Sequence, residues 1–262
     1  MDNNAIISMI SLSSFLLASS LVVLGFKNSP RQVIGLRVGY FLFVVGTLST
    51  TVEALQSGST ATLLAAAVAW ATIISWFVWK LELIGAFTAP VIALTLLSHI
   101  FFLPHARVPS SSIDTRSLQI HIVAAVIGQT FAILACGLSL LFLWLDKKLK
   151  NRELNELPVR YPAFTTLTKA LNRSLWIGFA FITLSLLTGA IFSLNGQLDN
   201  IQNMYPKIVW AILVWTWYLC ILVLKEIRGY QPQKTARMSL IGFALMSLSW
   251  FGLLFVGPWG AQ

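Results

Sequence analysis

Long apolar runs separated by short polar breaks organise this chain from end to end. Eight such runs read as 5–26, 33–55, 60–79, 83–103, 118–145, 175–194, 208–224 and 238–256. Each holds about 17–28 mostly apolar residues, and about 20 in helical form are enough to cross the hydrocarbon core of a bilayer. The pattern predicts an all-α fold, a polytopic membrane helix bundle of about eight transmembrane helices forming one domain over residues 1–262. Breaks at 56–59 and 80–82 are so short that the helices on either side must pack antiparallel. Small residues within the runs, among them Gly35, Gly39, Gly178, Gly189 and Gly242, permit close helix contact, and Pro90 predicts a kink in the fourth span. No short-period repeat is visible.

The polar breaks carry a strong charge asymmetry. Of 18 Lys and Arg residues, only Arg107, Arg116 and Lys207 fall after even-numbered spans. The rest follow odd-numbered spans: Lys27, Arg31 and Arg37, then Lys80, then seven between Lys147 and Arg173, then Lys225, Arg228, Lys234 and Arg237. Loops rich in Lys and Arg stay cytoplasmic, which predicts that both termini face outward from an inner (plasma) membrane. Residues 1–4 hold no positive charge and the first run exceeds the length of a signal-peptide core, so it reads as a retained helix.

Composition agrees with the pattern. Of the 262 residues, 57% are hydrophobic and 10% charged, against about 25% charged in soluble domains. The formal net charge of +9 sits at the membrane flanks, where it suits anionic lipid. No basic stripe lies elsewhere, which argues against nucleic acid as a partner. Cys136 and Cys220 are isolated within spans five and seven and read as small apolar side chains.

Two connections are longer. Segment 146–174 begins DKKLKNRELNELP and predicts a helix continuing into water on the cytoplasmic side. Tyr161, Phe164, Leu167 and Leu171 then recur at helical spacing beside Arg160, Lys169 and Arg173, as a short amphipathic helix at the headgroups would require; a flexible loop is the alternative. Such a segment can meet lipid or a protein partner. Segment 104–117, with two prolines and a serine run, reads as an irregular outer loop.

Candidate chemistry gathers in one place. All three histidines, His99, His105 and His121, lie within 23 residues, and the charge asymmetry sends them together to the outer surface. Neutral imidazole is a common axial ligand of haem iron. His99 and His121 sit at adjacent antiparallel helix ends and are candidates to hold one haem, with Arg107 or Arg116 meeting its propionates. The competing reading is that each histidine merely reaches toward the interface. No HExxH motif or neighbouring cysteine suggests zinc hydrolysis. Arg37 and Glu53 lie near span ends, not at the bilayer centre where ion-coupled carriers place charge. Ten tryptophans read as interfacial or packing residues. No nucleophile–base pair or carboxylate pair is visible, so no catalytic residue is assigned and enzymatic activity is left open.

Three stretches carry a resemblance. Residues 118–123 (LQIHIV) with the following apolar helix resemble one that opens on a His-Val pair at the outer side. Residues 175–184 (LWIGFAFITL) with Gly189 and Phe192 resemble the next helix. Lys207, Trp210, Tyr218, Gly229 and Ala236, then 242–246 (GFALM) with Phe251 and Gly252, resemble the last two. Together they resemble the cytochrome c assembly protein family of the CcsA/ResC type, most of all its short HemX-like and YpjD-like eight-span members. The resemblance implies a membrane protein of haem handling or cytochrome c biogenesis, with His121 the one position matching a family haem ligand. Residues 195–205 (NGQLDNIQNMY) lack the family's Trp-rich outer motif, and the tail 257–262 has no histidine. These departures leave a non-catalytic scaffold or regulatory subunit as the alternative, with a small-molecule transporter behind it.

Overall fold

A computed structural model describes residues 3–24, 30–102, 115–152, 162–194, 201–229 and 231–255. Its elements are α1 (Asn3–Leu24), α2 (Pro30–Ser57), α3 (Thr60–Trp79), a 3₁₀ turn (Glu82–Ile84), α4 (Gly85–Phe102), α5 (Thr115–Lys150), α6 (Phe164–Leu194), α7 (Ile201–Arg228) and α8 (Pro232–Phe255). The described residues contain no strand. Segments Ile34–Ser57, Thr60–Trp79, Leu118–Lys150, Phe164–Ile191 and Ile208–Arg228 are long and apolar enough to cross a membrane. Ile7–Leu21 and Gly85–Ile100 are shorter apolar segments. The protein is therefore a multi-pass membrane helix bundle.

Local chemistry sets several boundaries. Gly58, at φ +60, ends α2, and its N–H returns to the Ala54 carbonyl at 3.1 Å. Ser59 follows in extended conformation, and its Oγ accepts from the Ala61 N–H at the start of α3. Lys80 takes the left-handed conformation that closes α3. Pro30 and Pro232 open α2 and α8, where a missing N–H costs nothing.

Several helices are longer than their apolar runs, α5, α6 and α7 most of all. α5 holds 36 residues and carries Lys147, Lys148 and Lys150 in its last turn, as the charged start of segment 146–174 predicts. α6 begins at Phe164, eleven residues before the sixth apolar run. The periodic positions Phe164, Leu167 and Leu171 are thus its first turns and not a separate surface helix. Leu167 and Leu171 are buried in a core with Leu138, Leu141 and Leu145 of α5, and the Phe142 and Phe164 rings meet edge to face at 5.2 Å. That apolar face is better buried against α5 than left at a headgroup layer.

Two cores result. The first joins Phe15 and Ala18 of α1, Phe43 of α2, Leu64, Val68 and Ala69 of α3, and Ile92 and Leu96 of α4. The second joins α5, α6, α7 and the 3₁₀ turn, and closes on Ala236 of α8. Thr88 of α4 lies against Gly137 of α5, while Thr95 shares a cavity wall with Gln129. α4 and α5 therefore run antiparallel, and His99 and His121 lie toward the same end of the bundle.

Candidate functional site

The best-defined polar feature in the second half is His121, on the second turn of α5. Its Nδ1 lies 2.8 Å from the Ser185 carbonyl oxygen on α6, and 3.3 Å from the Ser185 hydroxyl. A carbonyl only accepts, so Nδ1 carries the hydrogen. In the neutral ring, Nε2 then bears the lone pair. Fixing the tautomer through the distal nitrogen is the arrangement that prepares an imidazole to ligate a metal.

Gly189 makes the arrangement possible. A Cβ there would stand 3.0 Å from His121 Cε1 and 3.1 Å from Nδ1. The Nδ1–Cε1 edge of the imidazole thus lies close against α6. Two turns deeper the two helices touch through Gly128, whose Cβ would fall 2.8 Å from Ile182 Cγ1 and 3.1 Å from the Ile182 backbone nitrogen. A β-carbon at Gly128 would press on the backbone of α6, and one at Gly189 would press on the ring itself.

His121 lines a cavity of about 280 Å³ between α5, α6, α7 and α8. Ala125 and Gln129 continue the α5 wall at four-residue spacing, Ser185 and Ile182 come from α6, Trp210 and Val214 from α7, and Met246 from α8. The Trp210 Nε1–H donates to the Leu245 carbonyl at 3.0 Å, which ties α7 to α8 at the cavity. Trp215 donates to Thr183 at 2.9 Å and Trp217 to the Met238 carbonyl at 3.0 Å. These three tryptophans are helix-to-helix ties. Beyond Gln129 and Met246, which line both, lies a second cavity of about 290 Å³ walled by Leu64, Val91, Thr95, Ile133 and Phe243. Each cavity alone lies just under the ~300–1,000 Å³ usual for small-molecule sites.

His99 belongs to a different neighbourhood. Its Nδ1 lies 3.2 Å from Ser59 Oγ at the start of α3. Nearby, Ser57 and Thr62 are bonded through their hydroxyls at 2.9 Å, and the Thr62 hydroxyl donates to the Ser59 carbonyl at 2.9 Å. None of the described cavities is lined by both histidines. Arg116 opens α5 but its side chain lies outside the described residues, as do His105 and Arg107 altogether. Cys136 is buried and Cys220 exposed, and both are free thiols. No group of three or more His, Cys, Asp or Glu side chains able to hold a metal ion occurs among the described residues.

Sequence reasoning reached His121 and the small residue at 189. It missed Ser185, Trp210 and Met246, which enter only through the pairing of distant helices, and Gln129, which shares the His121 face of α5 eight residues on.

Residues 54–259 match the family model described as Cytochrome C assembly protein. The cytochrome c biogenesis protein CcsA of Chlamydomonas reinhardtii is 26% identical over 181 residues, covering 67% of this chain and 50% of that protein. CcsA of Prochlorococcus marinus (strain MIT 9215) is 27% identical over 202 residues, covering 68% of this chain and 65% of that protein. The chain thus spans about half to two thirds of the length of these relatives. No solved structure matches it.

Proposed function

The chain belongs to the cytochrome c assembly protein family, and from that premise we propose that it handles haem during cytochrome c biogenesis, with His121 as a ligand of the haem iron. The observation that carries this reading is the His121–Ser185 bond of 2.8 Å, which leaves Nε2 free in a cavity of apolar wall. The donor set suits the group. Imidazole is an ordinary axial ligand, and Trp210, Val214, Ile182 and Met246 give the apolar contact a porphyrin face requires. When bound, haem supplies an iron centre that changes oxidation state. The chain's own part is to hold the imidazole as one tautomer, keep it against α6 through Gly189, and exclude water with α7 and α8.

His99 is the candidate for a second ligand from α4, and Arg107 and Arg116 are the candidates for propionate contacts. The basic loops support a cytoplasmic location for segment 146–174 and an outer location for the His121 end, with both termini outside an inner membrane. On this reading haem binds at the outer face, and segment 146–174 meets anionic lipid or another protein of cytochrome maturation.

The test is a reduced-minus-oxidised spectrum of detergent-purified protein made with haem supplied. Wild type should show Soret and α bands, and His121→Ala should lose most of them. Absence of bands in wild type overturns the haem reading. Bands that survive His121→Ala unchanged overturn the residue assignment only.

A further inference from the structure

The two halves of the bundle repeat one plan that no residue pattern reveals. α1 packs on α2 and α4, α2 on α3, and α3 on α4; likewise α5 packs on α6 and α8, α6 on α7, and α7 on α8. The register repeats as well. Ser8 of α1 meets Glu53 of α2; seven residues on from Ser8, Phe15 meets Gly46, seven residues back from Glu53. His121 of α5 meets Gly189 of α6; seven residues on, Gly128 meets Ile182, seven residues back. Ser8 therefore occupies in the first hairpin the place of His121 in the second, and Glu53 the place of Gly189.

What the first hairpin puts there is a buried carboxyl group. Glu53 is 2% exposed. The Ser8 hydroxyl donates to its Oε1 at 2.5 Å, while Oε2 is buried without a hydrogen-bond partner. No ion pair reaches it among the described residues. The same register sets Ser11 opposite Thr50, and both are fully buried. Ser11 donates to the Ile7 carbonyl at 3.0 Å and Thr50 to the Gly46 carbonyl at 2.6 Å. Their hydrogens are thus committed to their own helices, and their oxygen lone pairs remain as acceptors.

Oxygen-only acceptors around an unpaired carboxylate are what a hard cation selects. A single carboxylate balances a single positive charge. A divalent ion would leave net charge in a low-dielectric interior, where it is costly. Charged groups buried within membrane bundles are rare and mark ion or proton sites. We propose that Ser8, Ser11, Thr50 and Glu53 form a monovalent-cation site of the sodium class, the first-half counterpart of the His121 site and at the same end of the bundle. Cation binding at Glu53 does not depend on haem.

The test follows the thermal midpoint of the full-length protein in detergent, in sodium chloride against choline chloride at equal ionic strength. Sodium at a hundredfold excess over its Kd should raise the midpoint by about 5–10 °C. Glu53→Gln should abolish the response, Ser11→Ala or Thr50→Val should weaken it, and His121→Ala should retain it. Should Glu53→Gln fail to fold, line broadening of ²³Na resonance by wild type and its loss in Thr50→Val give the same answer. An equal rise in choline overturns the proposal, as does a sodium response that survives in the folded Glu53→Gln variant. So does a midpoint that follows pH and ignores sodium, which would make the carboxyl a proton site.

Discussion

The α1–α2 and α5–α6 hairpins share one register and solve the same contact with different chemistry. Between α1 and α2 the seam is rich in oxygen: Ser8, Ser11, Ser14, Thr47, Thr50 and Glu53 are all buried, beside Phe15 packed on Gly46. Between α5 and α6 it is bare backbone: Gly128 reaches Ile182, and Gly178 lies close to the Gly128 carbonyl and the Phe131 side chain. Lipid tails are as apolar as leucine, so neither hairpin gains from apolar contact alone. One gains short contacts through hydroxyls, with Ser11, Thr47 and Thr50 bonded within their own helices and Ser8 bonded across to Glu53. The other gains them by omitting side chains. Helix spacing fixes where a site can form, while one residue pair fixes its chemistry.

Filling the glycine seam should have the largest effect. Gly128→Leu should destabilise the protein by about 1–3 kcal/mol or more, because its first carbon already meets backbone, whereas Gly35→Ala, with nothing within 4 Å, should stabilise by up to about 1 kcal/mol through helix propensity. Thermal unfolding of both variants in detergent measures the contrast. A smaller effect is expected at Gly189→Val, where the seam touches the imidazole: haem affinity should fall about 10–100-fold while the fold survives, read by haem titration at the Soret band. Trp215→Phe, which removes the bond to Thr183, should cost about 1 kcal/mol in the same thermal assay. Least of all, Lys150→Ala at the exposed pair with Asp146 should change stability by about 0.5 kcal/mol or less, since Asp146 keeps its bond from Gln233.

Hydropathy periods made the eight helices legible, and the charged start of segment 146–174 made the overrun of α5 legible. The early start of α6 was visible as a period but not as a continuation, because the 171–174 junction (LNRS) is polar and only burial against α5 joins the two parts. His121 could be read from its place and its resemblance to a family motif. Its partner Ser185 could not, since a bond between residues 64 apart depends on helix pairing. Glu53 looked like an interfacial charge by position along α2; that it turns inward to Ser8 is a matter of rotation about the helix axis, which a run with few polar landmarks does not encode. The internal repeat stayed hidden for the same reason, as it conserves spacing between contacts and not residue type.

The length of α5 has a mechanical consequence. At about 1.5 Å per residue, its 36 residues make a rod of roughly 54 Å, with His121 near one tip and Lys147, Lys148 and Lys150 at the other. Its middle is clamped by neighbours, with Gly128 against α6 and Gly137 against α4. A stiff rod clamped at its centre is a lever. Tilting it by ~5° moves each tip by about 2 Å in opposite directions, the scale of the helix shifts that couple distant sites. A tilt driven at the basic tip would therefore carry through the rod to the imidazole at the far tip, against the packing of Leu141 and Leu145 and the bond to Ser185.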